Sequence, residues 1–181
     1  MFAPRHMEPG RPGVVLGIDP GLTRCGFAAL RQHGSDIEVL AMGVITSPAD
    51  MDVAQRLATV HEDFDSLLSE VRPSAVAVER VFFQSNVSTA MSVAQASGVV
   101  LALSSIRGIP VVQYSPSQVK SAVAGSGAAD KLAVQKMVQR RLGLQSLPKP
   151  ADAADAAAIA LCHLAASPLA ARVATAHGAR R

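Results

Sequence analysis

Apolar residues run unbroken along Val14-Val-Leu-Gly-Ile18 and stop at Asp19-Pro20-Gly21. A residue that precedes proline is pushed toward extended geometry, so this stretch predicts a buried strand that ends at a turn, with Asp19 at its carboxyl end. Cys25–Arg31 and Ile37–Thr46 predict two more strands around a polar turn at His33-Gly34-Ser35, which makes an antiparallel meander. From Asp52 to Arg72 the apolar positions Val53, Leu57, Val60, Phe64, Leu67, Leu68 and Val71 recur at the spacing of one helical face, and Pro73 closes the helix. Ala75–Val78 predicts a short central strand closing on Glu79.

Between Val81 and Ile106 there is no charged residue, and small side chains (Ala90, Ala94, Ala96, Ser97, Gly98) alternate with Val99, Val100 and Leu101. A helix with no charged face is poorly suited to water, so this one is expected to be covered by the sheet on one side and by a partner subunit on the other. Pro110–Tyr114 predicts a fifth strand, Ser117–Val123 a short helix, and Ala129–Leu142 a basic helix after the break at Gly125-Ser126-Gly127. An alanine-rich helix is expected from Ala151 to Ala166, with a frayed basic tail beyond Pro168. Three strands, a helix, and then alternating strands and helices describe an α/β fold: a five-stranded mixed sheet with helices on both faces. The expected division is an N-terminal extension at 1–13, one domain at 14–166 and a basic tail at 167–181.

Charge changes the picture by its distribution. Residues 1–70 hold 5 Lys/Arg against 10 Asp/Glu, whereas residues 71–181 hold 12 against 4, within a net +3. A strongly basic second half suits a polyanionic partner such as nucleic acid, although a solvated basic face is the commonplace alternative. Cys25 and Cys162 form no C-x-x-C pair, and no secretory signal or membrane-length apolar run is present, which points to a reducing cytoplasm and no membrane. His61-Glu62 lacks the second histidine of a zinc-protease helix, and the five histidines show no zinc spacing.

The four acids of the basic half are Glu79, Asp130, Asp152 and Asp155. If the first and fourth strands are parallel neighbours, Asp19 and Glu79 open at one sheet edge. Asp152 and Asp155, three residues apart, share one face of the first turns of the last helix, whose positive dipole end favours their ionised forms. Four converging carboxylates suit a pair of divalent cations, a common solution to phosphodiester hydrolysis. Each acid alone has a plainer reading. Asp19 could be a turn residue, Glu79 a partner of Arg72 or Arg80, Asp152 an N-cap, and Asp155 a complement to the helix dipole.

Taken together, Gly17-Ile-Asp-Pro-Gly-Leu-Thr-Arg-Cys-Gly26, Val78-Glu-Arg-Val-Phe-Phe-Gln-Ser-Asn86, Tyr114-Ser-Pro-Ser-Gln-Val-Lys120 and Ala151-Asp-Ala-Ala-Asp-Ala-Ala-Ala-Ile-Ala160 resemble, in order, the four signature blocks of the RuvC family of Holliday junction resolvases. The resemblance covers about residues 14–166. It implies a ribonuclease-H-like fold and a homodimeric endonuclease that places paired nicks in two like-polarity strands of a four-way DNA junction, leaving 5′-phosphate and 3′-hydroxyl ends. It implies two Mg²⁺ ions per site, with Mn²⁺ as a substitute, held by Asp19, Glu79, Asp152 and Asp155. It also implies a branch-migration motor of the RuvA and RuvB type as partner.

The same resemblance gives Lys120 and Lys131 a place near the reacting phosphate, where a lysine stabilises developing charge; without it they read as solvated. Phe82 and Phe83 sit where a loop is expected, either as a lid on the core or stacked on an unpaired base, with Asn86 nearby as a helix cap or DNA contact. Lys136, Arg140 and Arg141 are further candidate DNA contacts. His163, two turns beyond Asp155, is expected to be a packed histidine, with a place behind the metal site as the alternative, and Cys162 a core residue. Two other functions fit less of the sequence: a catalytically silent junction-binding module, and an ATP-binding domain of the actin and sugar-kinase kind, suggested by Asp19-Pro-Gly-Leu-Thr.

Overall fold

The computed structural model describes residues 10–81 and 87–178, without the side chains of 87–89 and 167–178. Its strands are β1 (Arg11–Asp19), β2 (Arg24–His33), β3 (Asp36–Thr46), β4 (Pro73–Glu79) and β5 (Val111–Tyr114). Its helices are α1 (Val53–Val71), α2 (Val87–Ile106), α3 (Pro116–Ala124), α4 (Lys131–Arg141) and α5 (Ala151–Gly178). The sheet order is β3-β2-β1-β4-β5. β1–β2 and β2–β3 are antiparallel, and β1–β4 and β4–β5 are parallel, so the expected mixed sheet is the one observed.

Two boundaries differ most from the sequence reading. β1 begins at Arg11, whose N–H donates to the Arg72 carbonyl at 2.7 Å, so residues 11–13 belong to the sheet rather than to an extension. The last helix does not stop at Ala166 but runs to Gly178. Proline costs a helix interior about 3 kcal/mol, yet Ala170, Ala171, Ala174 and Ala176 follow Pro168 and favour the helix.

Strand side chains alternate between faces, and each face has its own core. Val14, Leu16 and Ile18 of β1, with Val76 and Val78 of β4, pack with Phe64 and Leu68 of α1 and with Val100 of α2. On the other face Val15 and Ala77 pack with α3, α4 and α5. Asp19 and Glu79 continue the second series, Val15-Gly17-Asp19 and Ala77-Glu79, so alternation aims both carboxylates at the face that α5 covers.

α5 presents alanine almost all round, and Ala153, Ala154, Ala156, Ala157, Ala158 and Ala160 are buried. A helix without a polar face is stable only when enclosed, and α5 lies among β1, β2, α3 and α4. Two glycines let it settle on the sheet. A Cβ on Gly17 would fall on the Ala156 carbonyl oxygen, and one on Gly26 on the Asp152 carbonyl oxygen. Gly26 pairs with Asp19 across β1 and β2, so the first turn of α5 is seated directly beside that carboxylate.

Backbone in an enclosed helix yields less readily than a flexible side chain. Gly26→Ala is therefore expected to lower unfolding stability by about 1–3 kcal/mol, the usual cost of overpacking. Urea denaturation monitored by circular dichroism measures it, and an unchanged midpoint would mean that α5 can lift from the sheet without loss.

Candidate active site

Parallel pairing of β1 with β4, with Ile18 level with Val78, brings Asp19 and Glu79 to adjacent strand ends. Their carboxyl groups stand within hydrogen-bonding reach of each other. Burial and the neighbouring charges of Glu79, Asp155 and Asp152 push Asp19 up to about 8. Glu79 is also raised, chiefly by burial and also by Asp155, against the opposing pull of its hydrogen bond with Asp19 and of Lys131 and Lys120. The four acids chosen from separate stretches of sequence thus act on one another in a single cluster.

α5 starts at Ala151, which makes Asp152 a first-turn residue rather than an N-cap. Both helix carboxylates are engaged by cations. Arg24 Nε donates to Asp152 Oδ2 at 2.8 Å, and Lys131 Nζ donates to Asp155 Oδ2 at 2.6 Å. The Lys131 contact depends on a cap: Asp130 Oδ1 accepts from the Ala133 N–H at 2.7 Å, which starts α4 with Lys131 as its first residue. This accounts for the fourth acid of the basic half. A capping box of Ser115 and Gln118 starts α3 in the same way and carries Lys120 toward the site. Glu79, Lys120, Lys131 and Asp155 line a cavity of about 290 Å³ whose apolar wall includes Val119, Val134 and Ile159.

A donor set of four carboxylates is hard and anionic, which fits Mg²⁺ or Mn²⁺ rather than a thiophilic ion. The protonated state favoured at Asp19 has the same origin, since negative charge gathered in a buried place is relieved by a proton or by a divalent cation. Among the described residues no three His, Cys, Asp or Glu side chains are gathered closely enough to hold an ion as they stand. Two of the four acids are occupied by Arg24 and Lys131, and those pairs would have to open.

Other candidates are placed more loosely. Lys136, Arg140 and Arg141 are exposed on α4, away from its buried Val134 and Val138, and do not join the carboxylates. Phe82, Phe83 and Asn86 lie outside the described residues. His163 is a packed histidine. It is buried, its Nδ1 lies 2.9 Å from Tyr114 Oη, and burial lowers its pKa. Because Tyr114 is level with Glu79 in the β4–β5 pairing, this contact ties α5 to the strand beside the site. Cys162 is buried in the same core. Arg24 was missed by sequence reasoning, although it stands inside the first signature block; a lone arginine at a strand start carries no signal until its carboxylate partner is known.

A family model described as "Crossover junction endodeoxyribonuclease RuvC" matches residues 15–163. A protein of that name from Nocardia farcinica is 53% identical over 163 residues, covering 90% of this chain and 86% of the relative. One from Cutibacterium acnes is 45% identical over 186 residues, covering 100% and 95%. The solved structure described as "T. thermophilus RuvC in complex with Holliday junction substrate" superposes with a TM-score of 0.82 at 37% identity, over 91% of this chain and 97% of that one.

The raised Asp19 predicts a pH-dependent cost. Without divalent ions the unfolded chain loses this proton near the ordinary value of 3.8 and the folded chain only near 8, so stability falls as pH rises between them. Asp19→Asn removes that loss. In buffer containing a chelator its melting temperature should exceed that of the parent by several degrees at pH 8, with the gap closing toward pH 4. A constant gap across that range would show that Asp19 is not the group responsible.

Proposed function

The chain belongs to the RuvC family of crossover junction endodeoxyribonucleases, with its ribonuclease-H-like fold, and from that we propose that it resolves four-way DNA junctions by paired, metal-dependent hydrolysis in recombination and repair. The observation that carries the reading is that Glu79, Asp155 and Asp152 all lie near enough to Asp19 to raise its proton affinity. A silent junction-binding module has no use for four mutually repelling acids kept at a cost in stability.

In this reading the sheet that starts at Arg11, with the helices on its two faces, forms the catalytic unit, and the four acids would hold two Mg²⁺ ions, with Mn²⁺ able to replace them. Bound there, such a pair supplies an activated water and stabilises the departing 3′ oxygen, leaving a 5′-phosphate. Lys120 and Lys131, on the wall of the adjoining cavity, offset charge that develops on the phosphate without transferring a proton. Lys136, Arg140 and Arg141 on the exposed side of α4 hold the backbone of the flanking duplex. Phe82 and Phe83 are the side chains proposed to stack on bases unpaired at the junction centre, and Asn86 is a further proposed DNA contact.

A four-way junction offers two equivalent strands, and a two-fold dimer offers two equivalent sites. α2 supports that assembly. Its outward side sets Ala94, Gly98 and Ala102 one turn apart beside Met91, which is 57% exposed, and Ile106, which is 74% exposed. Small residues at such spacing let two helices approach closely. Association with a motor of the RuvA and RuvB type, and residence in the cytoplasm, complete the proposal. For the latter, the two cysteines are buried and free, and no helix among the described residues is long and apolar enough to cross a membrane.

Incubation with a synthetic four-way junction and its linear duplex, with and without Mg²⁺, tests the activity: symmetric nicks are expected in the junction only, and only with the ion. Asp152→Asn should bind the junction while cutting at least about 10²-fold more slowly, the scale at which even residues behind metal ligands act. Full cutting by that variant would remove Asp152 from the site. For the dimer, Gly98→Arg adds a charge where a Cβ meets open space, so folding should be unaffected while sedimentation shows a monomer. A variant that sediments like the parent would remove this face from the interface.

A further inference from the structure

The Arg24–Asp152 pair joins a cation to an acid that a divalent ion also needs. Arg24 opens β2, level with Thr46 of β3 and two residues before Gly26, on which the first turn of α5 rests. This placement brings the guanidinium to the outer edge of the carboxylate cluster. The contact is made through Nε at 2.8 Å. Among the described residues the guanidinium bonds Asp152 alone, and its planar fork is suited to a phosphate as well as to a carboxylate. The Arg24 side chain is 47% exposed and that of Asp152 31%. Ion pairs open to solvent to this degree contribute little to stability and exchange partners easily.

A second guanidinium stands at the same turn. Arg56 of α1 is fixed there by Nη2 donating to Thr23 Oγ1 at 2.6 Å and by Nε donating to Ser47 Oγ at 3.1 Å. The carboxylates are therefore flanked by Lys120 and Lys131 on the cavity side and by Arg24 on the β2 side, with Arg56 held on the residue next to Arg24. Arg56 is pinned by neutral hydroxyls and has no acid to leave; Arg24 is held only by an acid that a metal would claim.

We propose that Arg24 is an exchangeable counter-ion, neutralising Asp152 in the ion-free enzyme and transferring to a backbone phosphate of bound DNA when a divalent cation takes Asp152. This rests on the nuclease reading above and adds a substrate-binding residue to it. Two consequences are linked. Arg24 competes with the cation while DNA is absent, and it contributes one phosphate contact when both are present.

Arg24→Gln separates these effects by measurements other than cleavage. Mn²⁺ binding to the DNA-free protein, followed by electron paramagnetic resonance, should tighten severalfold, because a competing cation is gone. Junction binding in Ca²⁺, titrated over a salt series, should weaken, with the slope of log K against log salt falling by about one. Arg24→Lys keeps a charge at the turn and should restore the slope of the parent. Unchanged Mn²⁺ affinity, an unchanged salt slope, or failure of the lysine variant to restore it would each overturn the exchange. Failure of the parent chain itself to bind the junction would overturn the nuclease reading along with it, a result distinct from an Arg24 variant that behaves like a junction-binding parent.

Discussion

The backbone of α5 rests on the backbone of β1 and β2, and this close approach governs the rest of the structure. Gly17 and Gly26 permit it by having no side chain where the helix carbonyls of Ala156 and Asp152 pass. The alanines of α5 complete the fit on the helix side. Packing of this kind contributes through many small dispersion contacts rather than through large buried side chains, so it tolerates little displacement. The site inherits that close packing: Asp19 and Glu79 are held by strand ends, Asp152 and Asp155 by a helix seated on the sheet.

Rigid convergence of four acids has an electrostatic cost, visible in the raised proton affinities of Asp19 and Glu79. The surrounding cations answer it unevenly. Lys131 and Arg24 each touch one helix acid, while Lys120 acts on Glu79 from the cavity wall. The resulting cluster is balanced at its rim and strained at its buried centre, an arrangement that attracts a compact, multiply charged ion more than another side chain.

The sheet and most helices were legible because each has a strong local signature. Proline and glycine bracket β1, a seven-member apolar face marks α1, and the Asp152/Asp155 spacing marks one side of α5. The nearness of the four acids was legible only jointly, since each has an ordinary structural role when taken alone. Arg24 was not legible, because its meaning depends on Asp152, 128 residues away. The extent of α5 was misjudged since Pro168 is a local stop signal that alanine-rich sequence on its far side outweighs. Likewise the reach of β1 back to Arg11 depends on a hydrogen bond to Arg72, a long-range pairing without a local pattern.

Strand parity links correct folding to the chemistry. On β1 the apolar series Val14, Leu16, Ile18 faces one core, and the series that ends in Asp19 faces the other. Slippage of this strand by a single residue would turn a carboxylate into the packed space around Phe64 and lift three aliphatic groups out of it, a penalty of many kcal/mol from burying unpaired charge. Misregistered chains are thereby unstable as well as inactive. The charge at the end of β1 thus also acts as a proofreading mark, excluding from the native population any molecule whose central strand is out of step.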